Sequence, residues 1–162
     1  MNIVRLPDDL KPGDALLYSS TDPVDWVIEH VTGGPVAHIE GYIGDSESVA
    51  SRNGVGVGKY ALRLDGLVAV LRPPATFDLN NAMNWFEIVN GDGYDWQDLL
   101  PDFFSAENQQ TPNRLFCSAF MTLWYTEGNF NAISPNWPAN KVDPVDFLKT
   151  PALEHVLETF KL

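Results

Sequence analysis

The spacing of apolar residues changes once along the chain, close to residue 78, and that change constrains the fold more than any other feature. Before it, apolar residues alternate with polar ones or run in short blocks between turn residues, as strands require. Beyond it they recur every three or four positions, as helices require. Strands followed by helices predict an α+β architecture. The 162 residues suffice for one core and fall short of two, so residues 1–162 are expected to form a single domain.

In the first half, Asp14 to Ser19 reads as a strand introduced by Pro12-Gly13. Thr21-Asp22-Pro23 then caps a short helix through Val31, closed by Gly33-Gly34. Residues 36–44 alternate strictly, with Val36, His38, Glu40 and Tyr42 on one face and Ala37, Ile39, Gly41 and Ile43 on the other. Asp45-Ser46 marks a tight turn. Ser48 to Val57 reads as a further strand interrupted at Asn53-Gly54, and the apolar run Leu67 to Leu71 suits a strand buried on both faces. In the second half, Asp78 caps a helix through about Val89, with Met83, Phe86 and Val89 on one face. Pro101 to Pro112 reads as a loop, and Thr111-Pro112 or Asn113 opens the strongest helix, which runs to Gly128. Asp143-Pro144 and Thr150-Pro151 repeat a cap-then-proline pattern and predict two short C-terminal helices.

A net charge of -12, with acidic residues scattered and no Lys/Arg-rich run, opposes a nucleic acid or an anionic lipid surface as partner. No run approaches the ~18 apolar residues of a membrane span, and residues 1–14 lack a signal-peptide pattern, so synthesis in the cytoplasm is expected. A single cysteine excludes an internal disulfide and a cysteine-based zinc site. No cofactor is implied. The oligomeric state is not legible.

Cys117, that single cysteine, falls in the first two turns of the strongest helix, where the helix dipole favours a thiolate. The dipole contributes only ~0.3–1 kcal/mol, so activation needs a base as well. Without a partner, Cys117 reads as a core thiol packed between Phe116 and Phe120. Among the three histidines, His155 falls in the expected terminal helix and His30 near the end of a surface helix, both structural places. His38 shares a strand face with Glu40, two residues on, where side chains stand about 6.5–7 Å apart along the strand. Glu40 is the first candidate to orient the ring, with Ser51 and Asn53 behind it; it could equally line a groove and bind an amine. A metal site on His38 and Glu40 would lack the third ligand that zinc needs.

The string GPVAHIEGYIGDS, residues 34–46, resembles the histidine strand of NlpC-type papain-like cysteine hydrolases, with its His-x-x-x-Tyr-x-Gly-Asp pattern. Here the cysteine follows the histidine, as in the circularly permuted, YiiX-like branch. Gly13-Asp14, Gly54-Val55, Gly93-Tyr94-Asp95-Trp96, Phe116-Cys117-Ser118 and Val142-Asp143-Pro144 fall in the same order as in that branch. The resemblance covers about residues 12 to 153. It implies a papain-like fold in which the cysteine helix packs on a central antiparallel sheet presenting the histidine. It also implies Cys117 as nucleophile, His38 as base, and an oxyanion held by the Cys117 backbone N–H with help from Tyr94. The third catalytic position departs from the family pattern, leaving Glu40, Ser51 and Asn53 as alternatives.

The activity so implied is cleavage of an amide bond through an acyl-enzyme, with a peptidoglycan stem peptide as the substrate class. Thioester or lipid-amide substrates use the same chemistry, and a non-enzymatic papain-like binding module with a buried Cys117 is the alternative. Release by lysis, delivery by a phage particle and an intracellular substrate all fit a chain without a signal.

Overall fold

A computed structural model describes residues 9–19, 35–52, 55–91 and 112–158, with side chains left out of the description at 112–116 and 140. The helix expected at 21–31, the Asn53-Gly54 step, the Gly93–Trp96 element and the 101–112 loop up to its last residue lie outside these residues. Within them the chain is α+β, with a six-stranded, wholly antiparallel sheet and three α-helices. The strands are β1 (Ala15–Tyr18), β2 (His38–Gly44), β3 (Glu47–Arg52), β4 (Gly56–Ala61), β5 (Leu67–Arg72) and β6 (Glu154–Glu158). Their spatial order is β4-β3-β2-β1-β5-β6. The helices are α1 (Leu79–Val89), α2 (Pro112–Glu127) and α3 (Pro144–Lys149), with a 3-10 turn at Ala139–Lys141.

Local chemistry sets most of these boundaries. Asp45 and Ser46 both take positive φ, 51° and 59°, the conformation that matches a two-residue hairpin to strand twist. Asp78 accepts the Asn81 backbone N–H at 3.0 Å and so caps α1. Asp143 and Asp146 form a reciprocal capping box ahead of Pro144. Asp14, fully buried at the start of β1, accepts two hydrogen bonds from Arg72 at the end of β5, at 2.8 and 2.7 Å, and so pins two neighbouring strands.

The second C-terminal helix expected after Thr150-Pro151 is instead β6, so His155 stands on a strand rather than in an amphipathic helix. The Thr150 hydroxyl accepts from Ala152 N at 3.2 Å and donates to Ala132 O at 2.7 Å, which makes the Thr-Pro step a turn. Strand β5 is mostly buried, and without β6 its outer edge would leave buried N–H and C=O groups unpaired. Pairing with β6 satisfies that edge, and this tertiary demand outweighs the local helix signal.

Alternation along β1 divides the sheet between two apolar clusters. Ala15 and Leu17 join Ile39, Val49, Val57 and Leu71 beneath α1 and α2, whereas Leu16 and Tyr18 pack with Val70 and Leu157 on the other face. Helix α2 lies across β2 and β3, and its Trp124 packs directly on Gly41. A Cβ there would meet the Trp124 ring at 2.7 Å. Trp124 is itself fully buried against Phe77 and Tyr125, so it has little room to retreat.

The spacing of α2 from the sheet therefore depends on a missing side chain. Gly41→Ala is expected to lower unfolding free energy by about 1–3 kcal/mol through overpacking. Urea denaturation read by Trp fluorescence checks this, and an unchanged midpoint would refute the tight contact.

Candidate active site

Trp124 over Gly41 also fixes where the two reactive groups fall. Cys117 precedes Trp124 by seven residues, about 10 Å along a helix axis. His38 precedes Gly41 by three residues, about 10 Å along a strand. Helix and strand thus deliver the thiol and the imidazole to the same end of the packed pair, near enough for Cys117 to act on the protonation of the ring.

The other side of the ring is held by the sheet. Nε2 of His38 lies 2.9 Å from Oε1 of Glu40, which leaves Nδ1 as the ring nitrogen for the sulfur. Glu40 is fully buried, and its second oxygen accepts the Ser48 hydroxyl at 2.5 Å. Arg52 completes the shell, with Nε and Nη2 each 2.8 Å from Oε1. Strand register explains the grouping. Gly41 pairs with Val49, so Ser48 and Arg52 stand on the two diagonals from Glu40 on one sheet face. The Arg52 guanidinium stacks 3.9 Å from the centre of the Tyr60 ring, and Tyr18 places its ring 6.1 Å from that of His38.

These contacts decide the protonation states. Burial alone would pull the His38 ring down, but its interactions with Cys117 and with the Glu40 carboxylate push it up to about 9. Burial alone would raise Glu40, yet His38, Arg52 and Ser48 bring it down to about 2. Near neutral pH the pair is therefore an imidazolium on a carboxylate. Tyr18 is pushed well above its ordinary range by burial and by Glu40, and it stays protonated.

Of the two candidates for orienting the ring that lie among the described residues, Glu40 and Ser51, the structure brings Glu40 to His38. Ser51 is buried, but it alternates onto the opposite face with Val49 and Val57, under the helices. Asn53 and Tyr94, like Asp95 and His30, lie outside the described residues. His155 pairs with Glu158 at 3.2 Å on β6, remote in the sheet order from β2. Arg52, Ser48 and Tyr60 were not singled out from sequence; the strand-period pattern of 48, 50 and 52 carried their shared face, but not their register against β2.

Two further features alter the expected chemistry. Cys117 is the sixth residue of α2, so its N–H belongs to the helix ladder and bonds the Asn113 carbonyl by the i→i−4 rule. It is not free to hold an oxyanion, and the dipole, which fades beyond the first turn, adds little there. Cys117 is also only 2% exposed. No group of three or more His, Cys, Asp and Glu side chains among the described residues is placed to hold a metal ion, and no helix is long and apolar enough to cross a membrane. Comparisons with protein-family models, curated proteins and solved structures return no match to the chain.

The pair makes stability depend on pH in a defined way. His38, raised from 6.5 to about 9, stabilises the fold fully below about 6.5 and loses that contribution as pH rises through 9. Glu40, lowered from 4.5 to about 2, stabilises it above about 4.5 and loses that contribution as pH falls through 2. Both contributions are complete between 4.5 and 6.5. Glu40→Gln should lower the His38 titration by about 1–3 pH units, read by NMR of the ring protons. An unmoved titration would show that Glu40 does not hold the imidazolium.

Proposed function

We propose that the chain is a thiol-dependent hydrolase of papain-like type in circularly permuted order, histidine strand before cysteine helix, which cleaves an amide bond through an acyl-enzyme. The single observation that carries this reading is the His38 ring, hydrogen-bonded to a buried Glu40 and lying near enough to Cys117 for the thiol to act on its protonation. A nucleophile, its base and a group that holds the base are the parts such chemistry needs.

In the proposed cycle the Cys117 proton already resides on His38, and the thiolate of that ion pair attacks the carbonyl carbon to give a tetrahedral oxyanion. His38 then returns the proton to the leaving amine as the C–N bond breaks, leaving a thioester on Cys117. Water, deprotonated by the same ring, releases the acid and regenerates the thiol. Glu40 keeps the ring oriented and favours its charged form throughout. With the Cys117 N–H engaged in the helix, the oxyanion donor comes from another group, a place for which the resemblance supplies Tyr94. A peptidoglycan stem peptide is the substrate class this reading favours, and thioesters or lipid amides would pass through the same intermediate.

A second reading, a binding module that keeps the scaffold without catalysis, draws on the 2% exposure of Cys117, the burial of an ordinary core thiol. Reactivity separates the two. As a hydrolase, Cys117 should alkylate with iodoacetamide at about pH 6–7 faster than a free thiol, and His38→Ala should reduce that rate and lower turnover by about 10²–10⁴-fold. Mass spectrometry after incubation with peptidoglycan fragments or acyl amides should find the acyl group on Cys117, its mass naming the substrate class. Alkylation at the rate of a free thiol, unaffected by His38→Ala, rejects the hydrolase.

A further inference from the structure

Counting charges around the buried ring exposes a problem that the three-residue site cannot solve alone. A thiolate on Cys117, an imidazolium on His38 and a carboxylate on Glu40 sum to −1 around a carboxylate that is fully buried and a thiol that is 2% exposed. A net charge in such surroundings is costly, and the cheapest relief is to return a proton to the sulfur. One cation can balance the sum. Arg52 lies on the diagonal from Glu40, with two guanidinium nitrogens 2.8 Å from the carboxylate oxygen that also faces His38.

We propose that Arg52 is a positioning residue whose charge balances Glu40, so that the positive charge of His38 is left to stabilise the thiolate of Cys117. Without Arg52, the His38 imidazolium is, among the described residues, the only cation in contact with Glu40, and the neutral arrangement of lowest energy is imidazolium, carboxylate and thiol. With Arg52, imidazolium, carboxylate, guanidinium and thiolate sum to zero, and the proton can leave Sγ for the ring without leaving net charge behind. The inference rests on the hydrolase reading for its purpose, but its physics concerns only the thiol.

The geometry of Arg52 is built rather than incidental. Its guanidinium lies on the face of Tyr60, whose hydroxyl donates to the Gly56 carbonyl at 2.6 Å. That bond draws the Tyr60 ring back along its own strand over Gly58, where the ring stands 3.4 Å from the position a Cβ would occupy. Register places Gly56 opposite Arg52 and Tyr60 opposite Ser48, so β4 supplies a platform under the arginine and β3 supplies both donors to Glu40. Among the described residues, the remaining titratable and charged groups near the pair are Tyr18 on β1, with Arg63 stacked 4.4 Å over its ring, and Tyr60 on β4. Arg63 donates to neither Glu40 oxygen in the geometry above, and both tyrosines are raised and neutral, so Arg52 is the cation in contact with Glu40.

The test is the rate of Cys117 alkylation by iodoacetamide as a function of pH in the wild type, Arg52→Gln and Arg52→Lys. Arg52→Gln should slow alkylation at about pH 6 by tenfold or more, one pH unit being a factor of ten, and move the rise of the profile to higher pH. Arg52→Lys keeps the charge but loses the Nε donor and the planar group stacked on Tyr60, so its profile should lie between the two, and it serves alone if Arg52→Gln does not fold. Tyr125→Phe, which removes a buried hydrogen bond to the Gly13 carbonyl away from this cluster, controls for lost stability and should leave the profile unmoved. Fast wild-type alkylation with superimposed Arg52 profiles overturns the inference and leaves the hydrolase reading standing. A wild-type thiol no faster than a free one overturns both.

Discussion

Burying an ionised carboxylate takes several kcal/mol even after the protein relaxes around it, and Glu40 is buried completely. The rest of the sheet's polar face is arranged around that constraint. Three donors from two strands, the His38 ring, the Ser48 hydroxyl and the Arg52 guanidinium, occupy both oxygens, and removing one partner from such a set leaves charge uncompensated. The set also enforces register. Slipping β3 by one residue in one direction would bring Glu47 and Ser51 to the positions of Ser48 and Arg52, exchanging two donors for a second carboxylate and a short hydroxyl. Strand pairing and charge pairing thus specify one another.

Helix α2 contributes differently. Its role is placement, through the flat contact of Trp124 on Gly41 that sets Cys117 level with His38. Because Cys117 stands in the second turn, the electrostatic influence on the thiol comes from the sheet through the imidazole rather than from the helix terminus. This division assigns position to the apolar face of β2 and charge to its polar face. A single strand therefore carries both halves of the site, with Gly41 on one side and His38 with Glu40 on the other.

What was legible in the sequence follows from how far each signal reaches along the chain. The caps at Asp78 and Asp143, the Asp45-Ser46 turn and the strand at residues 38–44 are local, and the structure has each of them, whereas Val36, ahead of the strand, packs with Ile39 under the helices and not on the face of His38. Glu40 was legible as a neighbour of His38 because the two share a strand. Its remaining partners were not, since Ser48, Arg52 and Tyr60 join it only through the pairing of β2 with β3 and of β3 with β4. Ser51 failed by parity, one residue from Arg52 and on the wrong face. The C-terminal helix failed because Thr150-Pro151 is a local helix signal, whereas the need to cover the edge of β5 arises 80 residues earlier in the chain.

Ion clusters of this kind are poor devices for stability, since replacing a buried pair with apolar groups of similar volume is often neutral or stabilising by about 1–4 kcal/mol. The face around Leu16 and Val70 shows that this sheet has an apolar solution available from the neighbouring strand onward, since Leu16 pairs with Glu40 itself. A binding module would have no evident reason to depart from it beside its only cysteine. A hydrolase would, because a thiol acts as a nucleophile only when its proton can be taken and returned near neutral pH, and the imidazolium that holds the proton must itself be held. On the proposed reading, the strain of burying Glu40 is what makes His38 a base for Cys117, and the fold sustains it with the arginine and tyrosine that β3 and β4 place beneath.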